Sequence, residues 1–271
     1  MKAPDFRYER PASLSEALAL LAEDDATPIA GGQSLMPMMN FRIAAPALLV
    51  DLNGLADLAG ITAADGWLTI GAMTRYAALE GSAQVMEGVP LMARALPHIA
   101  HPAIRTRGTL GGSLALADPA AEMPAALLAL GGEVVVQGPG GPRTIAADDW
   151  ATGLYETARA PGELVTAIRV PLAAPGQRFG FHELARRHGD YAMAGVCIAA
   201  TGHAVRVAFF AISDRPLRAP GAEAALANGD IDAAVAALAD LPIDGDLHAG
   251  PDTKRHLAGV ALRRAWAEAT S

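Results

Sequence analysis

Apolar positions along this chain fall into short runs and helical stripes, separated by glycine, proline and asparagine. Leu14, Leu18 and Leu21 mark one helical face, and Ser13-Leu14-Ser15-Glu16 opens it as a capping box, so the pattern predicts a helix to about Glu23. Thr27 to Ala30 and Leu48 to Asp51 predict two short strands, ended by Gly31-Gly32 and by Asn53-Gly54. Leu58 to Thr62 and Trp67 to Gly71 flank Ala64-Asp65-Gly66, a hairpin signal. Thr74 is expected to cap a short helix through Leu79, and Val89 to Ile99 reads as a helix that Pro97 distorts. Asp118 as N-cap and Pro119 at the first helical position open an Ala/Leu-rich helix that ends at Gly131-Gly132. Glu133 to Gln137, Arg143 to Ala146 and Glu163 to Val170 follow as strands.

Pro171 to Gly176, PLAAPG, reads as a linker. Beyond it the pattern predicts strands over Phe179 to Ala185, Tyr191 to Thr201 and Val205 to Ile212, the last two joined at Gly202-His203. Helices are expected over Ala219 to Ala227, Ile231 to Leu238 and Pro251 to Ala269. Strands followed by helices make a small α+β unit with a three-stranded antiparallel sheet. The expected division is a first lobe over 1–55, a second over 56–172 and a C-terminal domain over 173–271.

Composition narrows the function. Of 271 residues, 52% are apolar, enough for a substantial core. The formal net charge of −8 argues against a nucleic-acid partner. The start, Met1 to Phe6, lacks the apolar core of a secretory signal, and no apolar run reaches the roughly 18 residues of a membrane span, so the expectation is a cytoplasmic chain. Cys197 is the single cysteine and sits in an apolar run, where a buried inert thiol is expected. An iron–sulfur cluster needs about four thiolates, so this chain cannot ligate one by itself.

Two glycine pairs carry the candidate chemistry. AGGQS (Ala30, Gly31, Gly32, Gln33, Ser34) and TLGGS (Thr109, Leu110, Gly111, Gly112, Ser113) each follow an apolar run and each end on a serine. Such a loop suits a pyrophosphate, because glycine lets N–H donors approach an anion closely. In an alanine- and glycine-rich chain each pair is also consistent with an ordinary turn. There is no G-x-G-x-x-G and no P-loop pattern. Asp118 and Glu122 read either as an N-cap with a first-turn acid, or as carboxylates accepting hydrogen bonds from ribitol or ribose hydroxyls. His182-Glu183 with Arg186 and His188 misses the zinc-protease pattern, since Arg186 stands where the second histidine belongs. Arg186, Arg187, Asp190 and Tyr191 read as a solvated strand-to-strand turn with a packed tyrosine.

AGGQSLMPMMNFR, RGTLGGSLALADPAAEMP, ARRHGDYAMAGV (Ala185 to Val196) and RHLAGVALRRA (Arg255 to Ala265) occur in this order along essentially the whole chain. Together they resemble the FAD-binding medium subunit of the molybdenum hydroxylases, the flavoprotein of the aerobic carbon monoxide dehydrogenase and xanthine dehydrogenase type. The resemblance implies an α+β fold: a two-lobed FAD-binding module of the vanillyl-alcohol-oxidase (PCMH) type, then the C-terminal domain. It places Ala30 to Ser34, and Gly108 with Thr109 to Ser113, on the FAD pyrophosphate. It puts Glu122 at the family's acidic position for FAD hydroxyls with Asp118 close by, Tyr191 near the isoalloxazine and Val165 at an apolar position beside it. Leu116 stands where many members of the family have His or Asn, and Thr106 where Asn is common, so no polar contact around the cofactor is carried over to these two positions, while the glycine loops are unaffected.

The resemblance further implies a heteromeric complex, a dimer of heterotrimers with a large molybdopterin subunit and a small subunit holding two [2Fe–2S] clusters. Substrate would be hydroxylated on the large subunit. Electrons would reach FAD through the clusters and leave to NAD, oxygen, quinone or another carrier. The chain would supply no catalytic acid, base or nucleophile and no metal ligand. A self-contained FAD oxidase or dehydrogenase, and a scaffold that has lost FAD, are the alternatives.

Overall fold

The computed structural model describes residues 2–271; Met1, the first residue of the stretch read for a signal, lies outside them. The first lobe runs β1 (Arg7–Glu9), α1 (Leu14–Leu20), β2 (Ala26–Ile29), α2 (Leu35–Asn40) and β3 (Leu48–Asp51). Both helices are crossovers, so the three strands lie parallel in the order β1–β3–β2. Ser13 caps α1 by accepting the Glu16 N–H at 3.2 Å, while Glu16 accepts the Ala12 N–H at 2.7 Å. The helix stops a turn before Glu23. The sequence reading misses β1, whose three residues are all exposed, and α2, where Pro37 at the third position replaces an N–H that no helix of that length uses.

The second lobe begins with the hairpin β4 (Ile61–Ala64) and β5 (Trp67–Gly71). Six helices follow: α3 (Tyr76–Glu80), α4 (Ala83–Gly88), α5 (Pro90–Ala95), α6 (Pro102–Arg105), α7 (Leu110–Leu116) and α8 (Glu122–Leu130). Then come β6 (Glu133–Gly138), β7 (Gly141–Ala146), α9 (Ala147–Trp150), a small ribbon of β8 (Ala151–Gly153) with β9 (Glu156–Thr157), and β10 (Leu164–Pro171). The five long strands form an antiparallel sheet, β4–β5–β10–β6–β7. Residues alternate between buried and half-buried along β5 and β6, so one face packs on the helices. Thr74 does not cap α3. Its hydroxyl accepts the Gly60 N–H at 3.0 Å and donates to the Gly60 carbonyl at 3.1 Å, closing the sheet edge instead. The stretch expected as one helix over Val89 to Ile99 divides at Pro97, with α5 passing into a single tight turn over Leu96–His98.

The C-terminal domain holds four antiparallel strands rather than the expected three: β11 (Arg178–Ala185), β12 (Ala192–Thr201), β13 (Ala204–Phe210) and β14 (Leu217–Arg218). The fourth is two residues between Pro216 and Pro220, too short to show a period, and pairs with Ala208 and Phe209. Helices α10 (Pro220–Ala227), α11 (Ile231–Ala236) and α12 (Pro251–Thr270) cover one face, burying Val196, Ile198, Val207 and Phe209 against Ala261 and Leu262. The opposite face, with Phe181, Cys197, Ala199 and Phe210, packs on α5 and α8 and continues the core of the second lobe. That is why β12 is buried on both faces over most of its length. At the end of β13, Ala211 donates its N–H to the Pro119 carbonyl at 2.7 Å and accepts from Lys254 Nζ at 2.5 Å. Among the described residues, no helix is long and apolar enough to cross a membrane.

Candidate functional site

The first glycine loop leaves the carboxyl end of β2. Gly32 holds a φ of +71°, and Gln33 Nε2 donates to the Gly31 carbonyl at 3.1 Å before α2 begins. Among the described residues, the N–H groups of Gly31, Gly32, Gln33 and Ser34 donate to nothing in the chain. Four adjacent unbonded donors on a short loop are a nest for an anion.

The second pair differs from the loop that its sequence predicts. Thr109 caps α7 by accepting the Gly112 N–H at 3.1 Å, so Gly111 and Gly112 form the first turn of a helix. The Leu110 and Gly111 N–H groups are also bonded, to Thr74 O at 3.1 Å and Ala72 O at 2.9 Å. Gly111 is required by packing: a Cβ there would lie 2.4 Å from Ala72 Cβ. The approach is anchored by Arg105, buried and forked onto Glu80 at 3.0 and 3.2 Å, with a further bond to Ile99 O at 3.0 Å. Charge-assisted forks of this kind hold a backbone segment firmly.

After α7 the chain corrects another expectation. Ala117, at φ +51°, ends α7, and Asp118 Oδ1 then accepts the Ala120 N–H at 2.9 Å in a turn. The Ala121 N–H bonds Asp118 O at 3.0 Å, so α8 starts at Glu122 with Ala121 as its N-cap. Asp118 therefore caps a turn, and Pro119 lies outside the helix.

The two glycine segments meet. A Cβ on Gly31 would stand 2.3 Å from the Arg107 carbonyl oxygen and 2.9 Å from Gly108 Cα, and one on Gly112 would face Ala30 Cβ at 3.5 Å. Beside this contact opens a cleft of about 540 Å³ lined by Gly31, Gly32, Gln33, Tyr8, Asn53 and Arg107. A polar strut sets its width. Asp51 Oδ1 accepts the Asn53 N–H at 2.9 Å, Asn53 Nδ2 donates to Ala30 O at 2.9 Å, and Arg75 donates to both Asn53 Oδ1 and Arg107 O. Tyr8 donates its hydroxyl to Asp51. Asn53, Arg75 and Arg107 were not singled out from sequence; Arg107 stands directly before Gly108, and its place in the RGTLGG motif is the one signal that could have marked it.

Carboxylates and tyrosines gather farther along. Glu122 is 8% exposed, and its carboxyl has only its own backbone N–H as partner. Burial, with Glu183 and Asp118 nearby, pushes it up to about 8. Burial likewise raises Asp118. Tyr191, expected to be packed, is 74% exposed because it stands in the turn directly before β12, while desolvation and the proximity of Asp118, Tyr155 and Glu122 raise its pKa. Tyr155, at the tip of the β8–β9 ribbon with φ +57°, completes the group and carried no signal in the sequence. The turn between β11 and β12 that bears Tyr191 is tied down at its base. Glu183 Oε1 lies 3.2 Å from His98 Nδ1, and the His98 and His188 rings are 5.5 Å apart. Val165 is buried in β10 opposite Val136, at the bulge before Ala167. Cys197 is buried, and burial raises its thiol well above the usual range. Among the described residues, no three His, Cys, Asp or Glu side chains converge on a metal position.

Comparison with known proteins agrees across the whole chain. Residues 4–173 match the family described as FAD binding domain in molybdopterin dehydrogenase, and residues 179–269 match the CO dehydrogenase flavoprotein C-terminal domain. The chain is 46% identical over 197 residues to the 6-hydroxypseudooxynicotine dehydrogenase complex subunit alpha of Paenarthrobacter nicotinovorans, covering 72% of this chain and 67% of that one. It is 39% identical to the nicotine 6-hydroxylase medium subunit of the same organism, covering 99% of each. Among solved structures, carbon monoxide dehydrogenase from Hydrogenophaga pseudoflava, in a form lacking the Mo-pyranopterin moiety of the molybdenum cofactor, superposes with a TM-score of 0.95 at 37% identity, covering 100% of this chain and 99% of that one.

Proposed function

This chain belongs to the FAD-binding flavoprotein family of the molybdopterin dehydrogenases, as a medium subunit, and on that footing we propose that it holds FAD between a cluster-bearing partner and an external electron acceptor. One observation carries the reading of the site. The unbonded N–H run of Gly31 to Ser34 borders a cleft that Arg107 also lines, and the Arg107–Gly108 backbone packs so closely on Gly31 that only glycine fits there. Those features fit a diphosphate. Ala30, Gly31, Gly32, Gln33 and Ser34 would hold it from one side, and Gly108, Thr109, Leu110, Gly111, Gly112 and Ser113 would hold it from the other. Because the Leu110, Gly111 and Gly112 N–H groups are already bonded, the second segment would act through its shape and the Ser113 hydroxyl. Asp118 and Glu122 would take hydroxyls of the cofactor, with Val165 behind the flavin and Tyr191 over its edge.

Bound FAD would supply the exchange between one-electron carriers and a two-electron acceptor. The chain's own part is to bind the cofactor, orient it and exclude water around the buried Glu122. We place two [2Fe–2S] clusters on a small partner subunit and the molybdenum cofactor with the substrate site on a large one. The assembly is a dimer of heterotrimers in the cytoplasm, with NAD, oxygen or a quinone as acceptor. The division 1–55, 56–172 and 173–271 belongs to the same reading, supported by one principal sheet in each range, as does the two-lobed vanillyl-alcohol-oxidase (PCMH) type of module. Relatives named for nicotine and for carbon monoxide share this chain's fold or family, which suits a subunit that does not choose the substrate.

The test is to purify the chain together with the products of its neighbouring genes and measure flavin, iron and molybdenum. Flavin with about four irons, as two [2Fe–2S] clusters require, and molybdenum is the expected result. Flavin with no co-purifying iron or molybdenum subunit would sink the complex, and steady turnover by the isolated chain would point to a self-contained oxidase.

A further inference from the structure

We propose that the Arg107 guanidinium is the counter-charge for the diphosphate of the bound dinucleotide, a role that rests on the FAD reading above and adds to it the residue that opens the second glycine motif. Arg107 is exposed, lines the cleft with Gly31 and Gly32, and has no carboxylate within ion-pair distance among the described residues. Arg10 likewise has no ion pair among the described residues and donates to Asn53 O at 3.4 Å, whereas the other arginines of this region are engaged. Arg7 pairs with Glu23 at 2.6 Å and Arg105 with Glu80 at 3.0 Å. Arg75 directs its donors to Asn53 and to the Arg107 carbonyl. Burial and the like charge of Arg107 lower its pKa, so two guanidiniums stand close together with no anion assigned to Arg107. Asp51, the carboxylate lining this cleft, is already accepting from Tyr8 and Asn53.

Location supports the assignment. The Arg107 backbone is fixed by Arg75 on its carbonyl and by the close approach of Gly31, so Arg107 lines the cleft from a rigid base beside the loop that carries the unbonded N–H groups. In the segment that follows Arg107, the N–H groups of Leu110, Gly111 and Gly112 are engaged within the fold. The first loop therefore offers neutral donors to a diphosphate, and Arg107 would add the formal charge that those donors lack. A guanidinium supplies that in a planar fork matched to phosphate oxygens.

FAD and riboflavin, which lacks the diphosphate, are titrated into the flavin-depleted full chain at several salt concentrations, following flavin fluorescence. For Arg107→Ala we expect FAD affinity to fall about ten- to hundred-fold at low salt, the value of one charge-assisted contact, with riboflavin affinity unchanged. The salt dependence of FAD binding should flatten, and Arg107→Lys should recover part of the loss. Arg107→Ala with wild-type FAD affinity and salt dependence overturns the assignment while leaving the FAD reading intact. Equal loss of FAD and riboflavin also overturns it, because the side chain would then be shaping the loop rather than meeting charge. A wild-type chain that takes up no FAD overturns both.

Discussion

Gly31→Val leaves the chain without retained FAD: we expect purified protein with little flavin and an affinity for added FAD at least about a hundred-fold weaker. The Cβ at this position would sit 2.3 Å from Arg107 O and 2.9 Å from Gly108 Cα. Both are backbone atoms, so no side-chain rotation relieves the overlap, and the first loop must draw away from the segment before α7. That separation removes the geometry on which a diphosphate clamp depends. Gly32 is a weaker probe for a physical reason. Its φ of +71° strains a substituted residue by roughly 1–2 kcal/mol, but its nearest neighbour is the flexible Met36 side chain at 3.3 Å. Gly111→Val, an obvious choice from sequence, is a poor one, because its Cβ meets Ala72 Cβ at 2.4 Å inside the α7 packing and would damage the fold itself. The flavin-to-protein ratio and the unfolding midpoint together separate these cases. Gly31→Val purified with a full complement of FAD would disprove the clamp.

Glu122→Gln should change the pH dependence of stability more than any other single substitution at the site. In the ligand-free fold the buried Glu122 carboxyl is pushed up to about 8, against about 4.3 in an unfolded chain. Between these values the folded state keeps a proton that the unfolded state has released. Stability is therefore greatest below about pH 4.3 and declines as the pH rises through about 8, by up to about 5 kcal/mol in all. Glutamine keeps the shape and cannot ionise, so this part of the decline should vanish and the variant should outlast the wild type at pH 9. Urea unfolding of both ligand-free proteins at pH 5, 7 and 9 decides it. Curves that run parallel across that range would mean that Glu122 is not held neutral by burial.

What the sequence made legible was local. The β4–β5 hairpin follows from Asp65 and Gly66, which take φ values of +51° and +79° as a tight turn of that twist requires. The Ser13 cap, the stop at Gly131 and the Gly202 turn are of the same kind. What escaped reading depends on partners distant in the chain. Thr109 opens a helix, rather than a loop, because Ala72 and Thr74 hold that turn from a neighbouring strand end. Asp118 looked like a helix cap because nothing in ADPAAE announces that Ala117 has already ended one helix and that the turn delays the next. Glu122 was located correctly as a first-turn acid, yet its burial needs the C-terminal sheet packed over α8, and Glu183 arrives from 61 positions later. Arg107 is visible only as the basic residue that opens RGTLGG until the fold packs its carbonyl against Gly31 and sets it on the cleft.

The boundary between the two matching families, after residue 173, is a seam in ancestry but not in the packing. Phe179, Phe181 and Phe210 share one core with Leu91, Met92 and Leu127, and Ala211 bonds across to Pro119, the turn that delivers Glu122. During synthesis, then, the flavin-binding half leaves the ribosome with the outer faces of α5 and α8 bare. It can fold its glycine segments early, but its carboxylate end takes final shape only when the last hundred or so residues have closed over it. On the site reading proposed above, cofactor contacts at that end would wait for completion of the whole chain.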